Sequence, residues 1–170
     1  MWIEGSKKNY KQILFNFYKP ISENRLEVIN DLILKNKLGI SGEIDLLSID
    51  IDGNDYWVWQ AISCVAPKVV VIEYNAKFPP DFEWIMEYNA NHIWENDDNQ
   101  GASLKSFELL GAKLGYQLVA TSSTGSNAFF VKQKYSKELF PKPAAAENLY
   151  HAFRFFRYKS GHIAKKYIGN

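Results

Sequence analysis

The chain of 170 residues has one cysteine, Cys64, so it can form no internal disulfide, and this usage fits a reducing, cytoplasmic setting. Its three histidines, His92, His151 and His162, show no zinc-like spacing, and no metal is assigned from them. No apolar run approaches the ~18 residues of a membrane span. The opening residues, MWIEGSKK, do not read as a signal peptide, because an acid and lysines interrupt them early. No G-x-G stands before Glu4, and there is no internal repeat or low-complexity tract beyond the short AAA after Pro143. Positive charge is not in excess either: the formal net charge is +1, which gives no footprint for nucleic acid.

What the chain does have is apolar and aromatic residues, 46% and 15% of the total, enough for one folded domain with a real core. Its charge is unevenly placed. Residues 1–132 hold 12 Lys/Arg against 17 Asp/Glu, a net of −5, and residues 133–170 hold 8 against 2, a net of +6. The expected organisation is therefore an acidic body, 1–132, followed by a basic extension, 133–170, with helical character.

Along the body, Met1–Ile3 reads as a strand stub ended by Glu4 and Gly5. Lys7–Tyr18 carries apolar residues at helical spacing, and Ser22 can cap a second helix running to about Lys37. A buried strand, Ile44–Ile51, leads through the turn DGND into a short helix from Asp55 to about Ser63. KVVVIEY, 68–74, is an uninterrupted β-branched run that fits a parallel strand covered on both faces. Residues 75–102 form a long irregular segment, expected to be a functional lid or else disordered. A helix over Ser103–Leu114 closes at Gly115, and 116–121 with 128–132 read as a hairpin around Gly125. Alternating strands and helices predict an α/β doubly wound sheet with an antiparallel pair at one edge.

In such sheets ligands bind beyond the carboxyl ends of the strands. Three acids stand there: Glu4, Asp50 and Glu73, with Asp52, Gly53, Asp55 and Asn75 close by in the sequence. Asp50 and Asp52, at i and i+2, should point to one side, and Asp50 reads as a buried acid between Ile49 and Ile51. Gly53 would permit a sharp turn, and Asn54 or Asp55 would cap the next helix. Trp57, Trp59, Phe129 and Phe130 read as core; Trp84 and Trp94, in the long loop, are better placed to touch a substrate, and His92 reads as a loop surface residue.

These residues carry a resemblance. LLSIDIDGNDYWVWQAI, PKVVVIEYN and GASLKSFELLGAKLGYQLVATSSTGSNAFFV resemble the later part of FkbM-like S-adenosylmethionine-dependent methyltransferases, best the subgroup with IDIDGND in place of KIDVEG-like text. MWIEGSKKNYKQIL resembles the second strand of that fold, and the likeness covers about residues 1–132. It implies a Rossmann-like class I methyltransferase fold of strand order 3-2-1-4-5-7-6, N-terminally truncated, lacking the first strand and its glycine-rich turn. The resemblance further implies Glu4, Asp50 and Gly53 at the cofactor S-adenosylmethionine, with Asp50, Asp52 and Asp55 as catalytic residues, Asp50 near the methyl donor and Asp52 or Asp55 accepting the acceptor hydroxyl's proton. Glu73, Asn75 and Trp94 would meet the acceptor, a saccharide or other small metabolite methylated on oxygen. Without the first strand, the stub at Met1–Ile3 should have no neighbour, the strand at 44–51 should expose an apolar edge, and cofactor binding should be poor or absent. The missing strand and helix would need ~30 further residues.

Three other readings remain open. Asp50-Ile51-Asp52 is the D-x-D of metal-dependent glycosyltransferases, whose hard oxygens suit Mg²⁺ or Mn²⁺. A metal-dependent hydrolase would use Asp50, Asp52 and Glu73. A non-catalytic remnant or interaction module would need none of these roles. In the extension, Leu149, Phe153 and Phe156 would share one face of an amphipathic helix over 147–167, which either packs on the acidic body or meets an anionic membrane surface.

Overall fold

A computed structural model of the chain describes residues 2–4 and 28–29 as strand backbone, and residues 41–95, 97–140, 142 and 144–154 in full. Two nine-residue strands form the centre, β3 (Gly42–Asp50) and β4 (Val65–Glu73), paired in parallel with Leu47 opposite Val70 and Ile49 opposite Ile72. Side chains alternate across a strand. One face of the pair therefore presents Leu47, Ile49, Val70 and Ile72, all with no solvent exposure, and the other presents Leu46, 45% exposed.

Two helices cover the buried face. The first, α1 (Asp55–Ala61), brings in Val58 and Trp59; the second, α2 (Leu104–Leu114), brings in Leu104, Phe107 and Leu110. The α2 helix starts where Ser103 accepts the backbone N–H of Ser106 and ends where Gly115, at φ 83°, turns the chain left-handed. Trp59 packs 4.8 Å from the Phe130 ring, and Gly111 supplies the room for both on α2.

The remaining strands are β1 (Trp2–Glu4), β2 (Val28–Ile29), β5 (Tyr116–Thr121) and β6 (Asn127–Lys132), and the sheet order is β2-β1-β3-β4-β6-β5. β6 runs antiparallel between β4 and β5; the other pairings are parallel. The protein is thus α/β, with a mixed sheet compatible with a Rossmann-like arrangement. After β6 come α3 (Gln133–Leu139) and a four-residue helix, α4 (Ala146–Leu149).

Several expectations are corrected. The stub at the N-terminus has two neighbours: β1 pairs with β2 on one side and with β3 on the other, where it covers the edge of β3 over Ser48–Asp50. Val28 and Ile29, β-branched residues suited to a strand, lie in β2 and interrupt the helix expected from Ser22 to Lys37. The rest of that helix, and the one over Lys7–Tyr18, lie outside the described residues. Within the extension, the expected helix over 147–167 stops at Leu149, and the chain continues without helix to Arg154. Leu149, Tyr150 and Phe153 pack against the core, as the body-packing reading of the extension required. Residues 155–170, with Phe156, lie outside the described residues. No helix among the described residues is long and apolar enough to cross a membrane.

Candidate functional site

β1, β3 and β4 are parallel, so their carboxyl ends share one rim of the sheet. The chain passes outward from β1 to β2 on one side and from β3 to β4 on the other. The switch point therefore lies between β1 and β3, where Glu4 and Asp50 are paired residues of the two strands.

Beyond Asp50 the chain makes a tight turn whose clasp is Asp55. Its carboxylate accepts the N–H of Ile51 at 3.1 Å and that of Gly53 at 2.9 Å. Closing the turn this way drives Asp52 to φ 55°, a left-handed conformation that aspartate tolerates better than most side chains. The result is a group of three carboxylates. Asp50, Asp52 and Glu73 each offer an oxygen, and these atoms all lie within 4.8 Å of one another.

Asp55 is the buried acid here, 1% exposed; Asp50, expected to be buried, is exposed. The reason is parity: with Leu47 and Ile49 facing the core, Ser48 and Asp50 face the other way. Because its oxygens serve the turn, Asp55 is not the proton acceptor expected of it, nor is it the N-cap, which is Asn54. Burial pushes the Asp55 carboxyl above its ordinary value, against the pull of the Gly53 and Ile51 N–H groups. Glu73 moves the same way. Burial, then the charges of Asp50, Asp55 and Asp52, raise it to about 9.

The long segment 75–102 is tied down over this turn rather than disordered. Asn75 is its main anchor: its backbone N–H donates to Ala102, and its side-chain amide donates to Asp98 and Gln100 carbonyls while accepting from Lys77 N–H. At 5% exposure, Asn75 holds the loop, which replaces the acceptor contact expected of it. The indole of Trp57 donates to Met86 O at 2.8 Å, and Asn54 exchanges hydrogen bonds with Asn89. Gly101 N–H donates to Gly53 O at 2.9 Å.

Gly53 is likewise closed off. Its N–H goes to Asp55, its carbonyl to Gly101, and the ring of His92 occupies the space a side chain would take. The cofactor contact expected at Gly53 is therefore corrected to a packing role. His92, read as a surface residue, is half-buried there, and its Nε2 is buried with no hydrogen-bond partner among the described residues. Trp94 is half-buried, its indole N–H bonded to Asp97 O at 3.0 Å.

The carboxyl-end rim also receives the C-terminal segment, which sequence reasoning missed. Tyr74, next to Glu73, donates its hydroxyl to His151 O, and Tyr150 donates to Ala76 O. Chemically, the rim is a concentration of carboxylates suited to a positively charged group, a proton or a cation, and ill suited to free phosphate.

Comparison with known proteins finds no family model that matches the chain, no matching curated protein and no matching solved structure. Function must be argued from the rim itself.

Proposed function

We propose that the chain is a methyltransferase domain that takes S-adenosylmethionine at the crevice between β1 and β3 and methylates an oxygen of a saccharide or other small metabolite. The observation that supports this most is strand order. The series β2-β1-β3-β4-β6-β5, with β6 alone antiparallel, follows 3-2-1-4-5-7-6 with the first strand omitted. The donor set fits on charge, since exposed Asp50 and Asp52 favour a sulfonium cation at the switch point. The glycine-rich turn of that pattern has no counterpart among the described residues, and β1 pairs directly with β3 where the omitted strand would lie.

When bound, the sulfonium supplies an electrophilic methyl group. The chain's own part is to hold the reactants in line and keep water out. Glu4, at the end of β1, would take the ribose hydroxyls and Asp50 would neighbour the cofactor's charge. Asp52, exposed and outside the Asp55 clasp, is the carboxylate that would accept the acceptor hydroxyl's proton, the methyl group leaving sulfur for that oxygen and the sulfonium becoming a neutral thioether. Calorimetric titration with S-adenosylmethionine tests this: β1 has the neighbours it was expected to lack, so weak binding by the chain is expected, lost in Asp50→Asn. No heat at millimolar cofactor would remove the reading and leave the metal-dependent enzyme and the non-catalytic module.

A second reading has its own observation. Three carboxylate oxygens within 4.8 Å of one another, two from a D-x-D, could hold Mg²⁺ or Mn²⁺ in a glycosyl-transferring enzyme. Titration with Mn²⁺ alone, followed by paramagnetic resonance, separates the two: binding lost in Asp52→Asn would favour the metal.

A further inference from the structure

We infer that Tyr150 and Tyr74 are positioning residues, through which the strap at residues 146–154 holds both the rim end of β4 and the long loop over the site. Tyr74 directly follows β4 and is 2% exposed; its hydroxyl donates to the strap, at His151 O, over 2.7 Å. Tyr150 belongs to the strap; its hydroxyl donates back to Ala76 O over 2.6 Å. Their rings meet edge to face, with centroids 6.4 Å apart. Each tyrosine is thus rooted in one segment and holds the main chain of the other.

The residue between the two grip points is Asn75. Its N–H donates to Ala102 at 2.8 Å, and its amide holds Asp98 and Gln100, the run that delivers Gly101 to Gly53 O. Glu73 precedes the same three residues. Movement of 74–76 would therefore be felt at the rim acid on one side and at the loop on the other. A ring alone could be satisfied by packing, with its hydroxyl left to water. Two reciprocal bonds to main-chain carbonyls instead fix the segments along each other's length.

The strap itself is well docked. Ala146 N–H donates to Glu108 at 3.1 Å, Lys105 bridges Glu108 and Glu147, and Arg154 N–H donates to Thr124 O. Its seat also depends on Gly125, at φ 74°: a β-carbon there would lie 2.5 Å from His151 O and 2.6 Å from Ala152 O, and main chain of this kind cannot swing aside. The inference rests on the methyltransferase reading only for the identity of the ligand.

Amide hydrogen exchange by NMR on the full chain tests the positioning without any ligand, so its result stands whether or not S-adenosylmethionine binds. Tyr150→Phe keeps the ring and removes the bond to Ala76. In that variant, and in Tyr74→Phe, exchange at Asn75 and Gly101 should accelerate about fivefold to tenfold, the effect of one lost hydrogen bond, while Val70 and Phe130 stay within about twofold. Gly125→Ala should produce the same pattern from the opposite side of the strap. Acceleration confined to residues 150–154, or spread evenly over core and loop, would overturn the inference, because a merely structural strap would give one of those two patterns.

Discussion

A β-carbon on Gly53 would lie 2.2 Å from Cδ2 of His92, so the imidazole rests on bare main chain. The left-handed residue of this turn is Asp52, at φ 55°, and what Gly53 contributes is space. Gly53→Ala should therefore cost about 1–3 kcal/mol by overpacking. In a His92→Ala background the cost should shrink, giving a coupling of about 0.5 kcal/mol or more in a double-mutant cycle read by urea unfolding. Strict additivity would mean that the ring does not pack on Gly53.

Asp55→Ala would leave the N–H groups of Ile51 and Gly53 without their acceptor inside a closed turn. A loss of about 2–4 kcal/mol is expected, and Asp55→Asn, which retains one acceptor oxygen, should lose less. Chemical denaturation ranks the two variants. Equal losses would show that the one oxygen asparagine retains restores neither hydrogen bond.

Glu73 should make stability depend on pH. In the fold it titrates at about 9 against an ordinary 4.5, first because it is buried and then because Asp50, Asp55 and Asp52 are near. Unfolding between those values releases its proton, so stability is fully present below about 4.5 and falls as pH rises toward about 9, at up to about 1.4 kcal/mol per pH unit. Asp55, raised in the same direction, adds to the trend. The urea midpoint should be higher at pH 5.5 than at pH 8, and Glu73→Gln should flatten the difference. A midpoint that rises between those two pH values would contradict this assignment.

Gly111→Ala sets two effects against each other. Alanine favours a helix interior by about 1 kcal/mol. Yet a β-carbon at 111 would lie 2.8 Å from the Phe130 ring and 3.2 Å from that of Trp59, both fully packed. Overpacking of about 1–3 kcal/mol should win, lowering the melting temperature. A higher melting temperature would show that the rings can yield.

Local pattern made much of this fold legible. The run Val69-Val70-Val71-Ile72 reads as a buried strand, and Ser103 with Gly115 brackets α2, because caps and periodicity are written within a few residues. The rim acids Asp50 and Glu73 were legible for the same reason, as the ends of apolar strands. Side-chain parity could have shown Asp50 exposed, since Leu47 and Ile49 claim the core face. The bonds that close the site were not legible. Asn75 reaches carbonyls 23 and 25 residues away, and His92 meets Gly53 across an irregular loop; no period or motif marks pairs so far apart. Val28–Ile29 failed differently, because tertiary pairing with β1 overrode a helical spacing.

The place of β6 has a consequence for the order of assembly. It is the last strand in sequence among the described residues, yet its neighbours β4 and β5 are both made before it. During synthesis neither can complete its hydrogen bonds on that side until Asn127–Lys132 has left the ribosome. Until then the nascent chain displays the apolar edge of Val65–Glu73 as a template for any other strand it meets. β6 pairs locally with β5 as a hairpin, and its pairing with β4 is the long-range closure, slow compared with local helix formation. A chain stopped short of residue 127 would lack the strand that covers this edge of β4.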